Sequence, residues 1–312
     1  MVSVLIASAA DAAYFGWLND LITSVLTTRA SLQRSLDYDL ALGCFDVGLT
    51  EQQQHWLQQN GVQLVEPLWH VIDEEQSKDI TPFLRALLAK AFLSEYFPGY
   101  DIYLWIDADA WVQDWRAIDL FVQGAHERKG LAIVPELTRN SPGFYGQLDT
   151  VLQYHREILI RLTDEETANQ LYLYPLLNLG AYALHKNALH WINWQLCLQR
   201  MLQAHPPEFM METVSLVVAA YGCAGFEQIE FLPAWCNWTT HSMTLPCWDR
   251  EQSCFVERYL PRHPIGILHL SGMKYKNDSI QVVPTVQGDQ IEMSLRYPRE
   301  NNASNPDGRD SS

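Results

Sequence analysis

The sequence predicts an α/β fold, a Rossmann-like, mostly parallel sheet flanked by helices, with a less regular C-terminal part. Three observations predict it. Short β-rich runs alternate with helical periods through the first half, the order of a doubly wound sheet. Ile102-Tyr103-Leu104-Trp105-Ile106 is apolar without alternation, as suits a strand buried on both faces. Of the 312 residues, 48% are apolar and 12% aromatic, which supplies a large core and excludes a disordered chain.

The elements follow in order. Val2 to Ala7 is a first strand. Tyr14 to Thr28 is a helix with Phe15, Leu18, Leu21, Ile22 and Val25 on one face. Asp39 to Phe45 is a second strand. Thr50-Glu-Gln-Gln is a capping box that opens a polar helix, and Val62 to Val65 is a third strand. Pro82 opens a helix that runs to about Tyr96, where Pro98-Gly99 stops it. Beyond Ile106, Leu131 to Val134 and Leu179 to Leu184 read as strands. Residues 145–170 and Ala188 to Ala204 read as helices, and Pro264 to Leu270 as a last apolar run. Residues 233–262, rich in Pro, Cys and Trp, form a structured loop region. The folded domain spans 1–285, and 286–312 is a C-terminal extension, largely a flexible tail.

Composition narrows the function. Lys and Arg number 21 against 37 Asp and Glu, a net charge of −16, which argues against nucleic acid or an anionic membrane as a general partner. Cys44, Cys197, Cys223, Cys236, Cys247 and Cys254 form no C-x-x-C pair. They suit a reducing cytosol, with a disulfide left open within the cluster from Cys223 to Cys254. The start, MVSVLIASAAD, lacks a basic n-region, and no run of 18 apolar residues occurs. A cytoplasmic location without a transmembrane segment is expected.

The chemistry concentrates at Asp107-Ala108-Asp109, directly after the buried strand. Ligands of open α/β sheets bind beyond the carboxyl ends of strands. If the chain stays extended there, residues i and i+2 point the same way, and the two carboxylates share one divalent ion. A hard cation held so completes its shell with substrate phosphates, which makes this a metal–diphosphate site.

Five further segments complete a pattern: Ala7-Ser8-Ala9-Ala10-Asp11-Ala12-Ala13-Tyr14, Lys90, Leu177-Asn178-Leu179-Gly180, Met211-Glu212-Thr213, and His269-Leu-Ser-Gly272-Met-Lys274-Tyr-Lys276. With the aspartate pair they resemble, in matching order over residues 2 to 276, the GT-A fold glycosyltransferases. The likeness is nearest to glycosyltransferase family 8, the retaining group that contains glycogenin and the bacterial lipopolysaccharide galactosyltransferases. The resemblance implies a UDP-sugar donor and Mn2+ (or Mg2+), with Asp107, Asp109 and His269 as metal ligands. It implies that Asp11 and Tyr14 hold the base and that the backbone at Ala7 and Ser8 lines its pocket. Lys90, with Lys274 or Lys276, would face the phosphates. Ala108, Gly180 and Gly272 would approach the donor closely. Glu212 and Asn178 would stand beside the reacting sugar, and Asn237 would be a structural or sugar-proximal residue. Thr213 departs from the family's Gln, and Tyr275 occupies the place of the family's Lys. The resemblance implies a glycan or another acceptor, a lipid-linked one included.

Two other readings stay open on the residues alone. A phosphatase of the haloacid dehalogenase type also places Asp-x-Asp after an apolar strand. A degenerate sugar-nucleotide or glycan-binding protein on the same fold would account for Thr213 and Tyr275.

Overall fold

The computed structural model describes residues 1–68, 80–223, 225–272 and 280–298. The first half runs β1 (Val2–Ala10), α1 (Phe15–Ala30), β2 (Tyr38–Asp46), α2 (Glu51–Gln59), β3 (Val62–Val65), α3 (Pro82–Ala89), α4 (Leu93–Tyr96), β4 (Ile102–Ile106), β5 (Ala110–Val112), α5 (Arg116–Arg128) and β6 (Leu131–Pro135). The second runs α6 (Pro142–Gly146), α7 (Leu148–Leu162), α8 (Glu165–Leu171), β7 (Leu177–His185), α9 (His190–Ala204), α10 (Met211–Val217) and β8 (Ile229–Phe231). Six short strands follow: β9 (Trp238–Thr239), β10 (Cys247–Asp249), β11 (Cys254–Val256), β12 (Ile267–His269), β13 (Gln281–Pro284) and β14 (Gln290–Met293).

The main sheet has the order β3-β2-β1-β4-β7-β6-β8. All neighbours pair in parallel except β7, which runs against both β4 and β6. Strand period 2 divides the core. Val4 and Ile6 of β1, with Ile102, Leu104 and Ile106 of β4, face one hydrophobic layer. Leu5 and Ala7, with Tyr103 and Trp105, face the other. Both faces of β4 are therefore covered, which is why its sequence shows no alternation.

The chain leaves β1 toward β2 and β3, then returns across β1 to β4. The switch point lies between β1 and β4, and their carboxyl ends open the crevice where such sheets take ligands. Because β7 is reversed, its amino end, not its carboxyl end, lies at that edge. A smaller sheet, β5-β12-β9, stands beside it.

Most expected elements form. The Thr50 capping box is complete, with Gln53 N donating to Thr50 Oγ1 at 3.4 Å and Thr50 N to Gln53 Oε1 at 2.9 Å. Three details differ. β1 continues past Ala7 to Ala10, because β2 pairs with it throughout. The helix expected over 82–96 is interrupted by a 3-10 turn at Lys90–Phe92, where the Lys90 carbonyl accepts from Tyr182 Oη at 3.3 Å. All six cysteines are free, so no disulfide joins the Cys223–Cys254 cluster. No helix among the described residues is long and apolar enough to cross a membrane.

The boundary expected at 285 falls inside the β13–β14 hairpin. Leu295 is buried, and its carbonyl accepts from Trp111 Nε1 at 2.9 Å. Arg296 donates to Asp20 Oδ2 from Nε at 2.9 Å and from Nη2 at 2.7 Å, and lies over Trp17 at 4.1 Å. Residues 286–298 are thus fastened to α1 and belong to the folded unit. Residues 299–312 lie outside the described residues. Replacing Arg296 by Met would strand the Asp20 carboxylate, whose side chain is only 4% exposed. Breaking a buried pair costs about 3 kcal/mol, so the Arg296→Met midpoint in urea should fall accordingly.

Candidate active site

The site begins where β4 ends. Asp107 is fixed by its own backbone, whose N–H donates to the Gly180 carbonyl of β7 at 2.8 Å. The chain then turns: Ala110 N donates to Asp107 O at 3.1 Å, so 107–110 is a tight turn and not an extended segment. Sequence spacing anticipated the shared carboxylate site but not its geometry. It is the turn around the buried Ala108, rather than strand alternation, that brings Asp109 beside Asp107.

His269 arrives from the far end of the chain. β12 pairs antiparallel with β5, His269 opposite Ala110, and parallel with β9, His269 opposite Thr239. Its Nε2 lies 3.1 Å from Asp109 Oδ1 and 3.8 Å from Asp107 Oδ2. Ligand atoms of Asp107, Asp109 and His269 all lie within 4.8 Å of one another. Two carboxylates and one imidazole so close form a donor set for a divalent cation.

Behind the triad stands Lys90, 1% exposed. Its ammonium donates to Asp107 Oδ1 at 2.9 Å, to Glu212 Oε1 at 2.8 Å and to the Leu179 carbonyl at 3.3 Å. Burial works to discharge it, but Asp107 and Glu212 outweigh that, and its pKa is raised. Trp105 Nε1 adds a second donor to Asp107 Oδ1 at 2.7 Å. Both donors take the same oxygen, which leaves Oδ2 facing His269. Glu212, at the start of α10, is pushed up to about 7, chiefly by burial, with the Lys90 charge opposing.

The other expected residues fall as follows. Ala7 and Ser8 are buried within the β1 ladder. Asp11 Oδ1 accepts from Tyr14 N at 2.9 Å, and Tyr14 is partly buried at the head of α1, on the crevice side of β1. Asn178 Oδ1 accepts from Gly180 N at 3.0 Å. Gly180 is required by the histidine: a Cβ there would meet His269 Cε1 at 2.0 Å. Gly272 takes a φ of +82° three residues past His269, a conformation that favours glycine. Lys274 and Lys276 lie outside the described residues. Asn237 is wholly buried.

Sequence reasoning missed Glu136. It follows β6 as Asp107 follows β4, and that shared pattern of an acid after an apolar strand was the available signal. Its backbone N–H donates to Leu176 O at 2.8 Å, two residues from Asn178. Burial pushes its carboxyl up to about 7, opposed by His269.

No model of a known protein family and no curated protein matches the sequence. Solved structures do. The bifunctional glycosyltransferase WbbM in its apo form matches with a TM-score of 0.51 and 13% identity, over 87% of this chain and 46% of its own. Mouse xyloside xylosyltransferase 1, also apo, matches with a TM-score of 0.51 and 11% identity, over 86% of this chain and 97% of its own. The galactosyltransferase LgtC, solved with donor and acceptor sugar analogues, reaches 0.49 at 13% identity, over 86% of this chain and 87% of its own. The fold is the GT-A fold of glycosyltransferases. It ends the phosphatase alternative, since three strands of the sheet precede the one that carries the aspartates.

Two outcomes are expected. Gly180→Ala must displace the His269 ring, so its Mn2+ affinity by titration calorimetry should fall about tenfold or more while the fold survives. In the folded chain Glu136 keeps its proton up to about 7, whereas the unfolded chain loses it near the ordinary 4.5. The folded state therefore binds the extra proton in that window, and stability falls as pH rises through it. Glu136→Gln should lack this decline, so its urea midpoint should gain on wild type between about pH 5 and about pH 8.

Proposed function

We propose that this chain is a metal-dependent glycosyltransferase that moves a sugar from a UDP-sugar to a glycan or lipid-linked acceptor. The observation that carries the reading is the Asp107–Asp109–His269 group, at the crevice between β1 and β4 of a GT-A fold. Asp107, Asp109 and His269 would hold Mn2+ or Mg2+. Such an ion neutralises a nucleotide diphosphate and stabilises charge on a departing UDP.

The chain's own groups divide the remaining work. Asp11 and Tyr14, on the β1–β2 side, hold the base. Lys90 is a positioning residue: its bond to Asp107 Oδ1 turns Oδ2 toward the metal. Glu212 and Asn178 face the donor sugar from α10 and β7, and Gly180 and Gly272 keep the backbone close to it. Lys274 or Lys276 approaches the phosphates. Retention of configuration and a place in family 8 follow from the motif resemblance. The six free thiols suit a cytoplasmic enzyme.

A second reading keeps the fold without the turnover. Thr213, in place of the family's Gln next to Glu212, favours a degenerate binding protein. A thermal-shift panel of UDP and UDP-sugars, with and without Mn2+, tests both. A ligand that binds only the folded state raises its apparent stability. A shift that needs nucleotide and metal together is expected, and the best sugar identifies the donor. Asp109→Asn should abolish that shift and lower transfer or donor hydrolysis by roughly a hundredfold or more. A metal-dependent shift in wild type without any donor turnover would select the binding protein. No shift with any nucleotide would overturn both.

A further inference from the structure

We infer that His241 is a further residue of the donor site, and that its imidazole binds the outer phosphate of a nucleoside diphosphate. This rests on the glycosyltransferase reading and gives a part to a residue outside the motif pattern.

Strand pairing brings His241 to the site. β9 and β12 are parallel, with Thr239 opposite His269, so the two strands end side by side at the triad. The pairing is extended by a clamp past the strand ends. Thr240 N donates to His269 O at 3.0 Å, and Thr240 Oγ1 donates to the carbonyls of His269 at 3.3 Å and Ser271 at 3.2 Å. His241 N donates to Ser271 Oγ at 3.3 Å. Thr240 is buried, whereas His241 is exposed. At a strand rise of ~3.3 Å per residue, two residues carry His241 about 7 Å beyond the level of His269. Its ring rests on Gly272, where a Cβ would meet His241 Nδ1 at 3.5 Å and Cβ at 3.7 Å. The ring is thus seated on backbone that is itself tied to the metal-ligand strand.

Strand order selects the outer phosphate. In the small sheet β12 lies between β5 and β9. Asp107 and Asp109 lead into β5 and follow β4, which adjoins β1 on the nucleoside side. His241 therefore stands across His269 from the two aspartates, away from the base. A diphosphate bridged by an ion at the triad, with its base toward β1, extends its outer phosphate toward β9. One imidazole N–H suffices for the contact, and a hydrogen bond to a charged oxygen is roughly twice as strong as a neutral one.

The test is calorimetric titration of the full chain with UDP and with UMP, each in saturating Mn2+, and with Mn2+ alone. His241→Leu should weaken UDP binding about tenfold, the loss of one hydrogen bond to a charged group, while UMP and Mn2+ affinities stay within about twofold. His241→Gln keeps an N–H donor and should recover most of the UDP affinity. Unchanged UDP binding in His241→Leu overturns the assignment. So does an equal loss for UDP and UMP, which would place the ring at the nucleoside or inner phosphate, and so does weaker binding of Mn2+ alone, which would make it a metal ligand. A lower melting temperature of both ligand-free variants overturns it as well, because the ring would then serve packing. Absence of UDP–Mn2+ binding in wild type overturns the transferase reading together with this one, and is seen before any substitution is made.

Discussion

One buried ammonium organises the site. Lys90 is enclosed by the 3-10 turn after α3, by β4, by the start of β7 and by α10, and each of the last three gives it an oxygen. An unpaired cation there would be prohibitively costly, so the three elements are held to it as firmly as it is to them. The indole of Trp105 adds its face at 4.9 Å, and Tyr182 Oη fastens the turn that carries the lysine. Two acids, Asp107 and Glu212, converge on the one lysine, and a third, Asp109, stands beyond Asp107 against His269. The surplus negative charge lies on the solvent side of Lys90, at the triad, where a divalent ion would complete the balance.

The reversed strand β7 makes this convergence possible. In a fully parallel sheet only carboxyl ends reach the crevice, and a strand's amino end lies on the opposite edge. Because β7 runs backward between β4 and β6, its first residues, Asn178 to Gly180, sit level with Asp107. The Gly180 carbonyl takes the Asp107 N–H, the Leu179 carbonyl takes Lys90, and the bare Gly180 Cα leaves room for the His269 ring. One short segment therefore serves the aspartate, the lysine and the histidine.

Legibility in the sequence followed the range of the interaction. Ile102–Ile106 and the acids after it were readable because a buried parallel strand and its carboxyl end have a local signature. Even so, the sequence pattern invoked strand alternation where a turn does the work. His269 and Lys90 entered only through the motif resemblance. What joins them to Asp109 and Asp107 is strand order, β12 on β5 and β7 beside β4, and no local period encodes that. The solvated face that a lone helical lysine suggests is the reverse of its burial here. Glu136 went unnoticed because one acid after a strand is common, and only its desolvation sets it apart. The end of the domain was drawn too early for a related reason. The stretch 286–298 reads as polar, yet Leu295 and Arg296 fasten it to Trp111 and to α1.

On the proposed reading, the layout also explains how an acidic chain would take a phosphate-bearing donor. A net charge of −16 repels polyanions at long range, but over distances beyond about 10 Å salt screens that field at physiological ionic strength. Within the crevice the local balance decides. There Lys90 already compensates part of the acid, and a cation at the triad would present positive charge to the diphosphate. On the proposed reading, donor binding would be conditional on the metal, because without the ion the first charges a diphosphate would meet are Asp107 and Asp109. On that reading, the local charge at the triad, and not the screened net charge, would decide whether a nucleotide diphosphate is admitted.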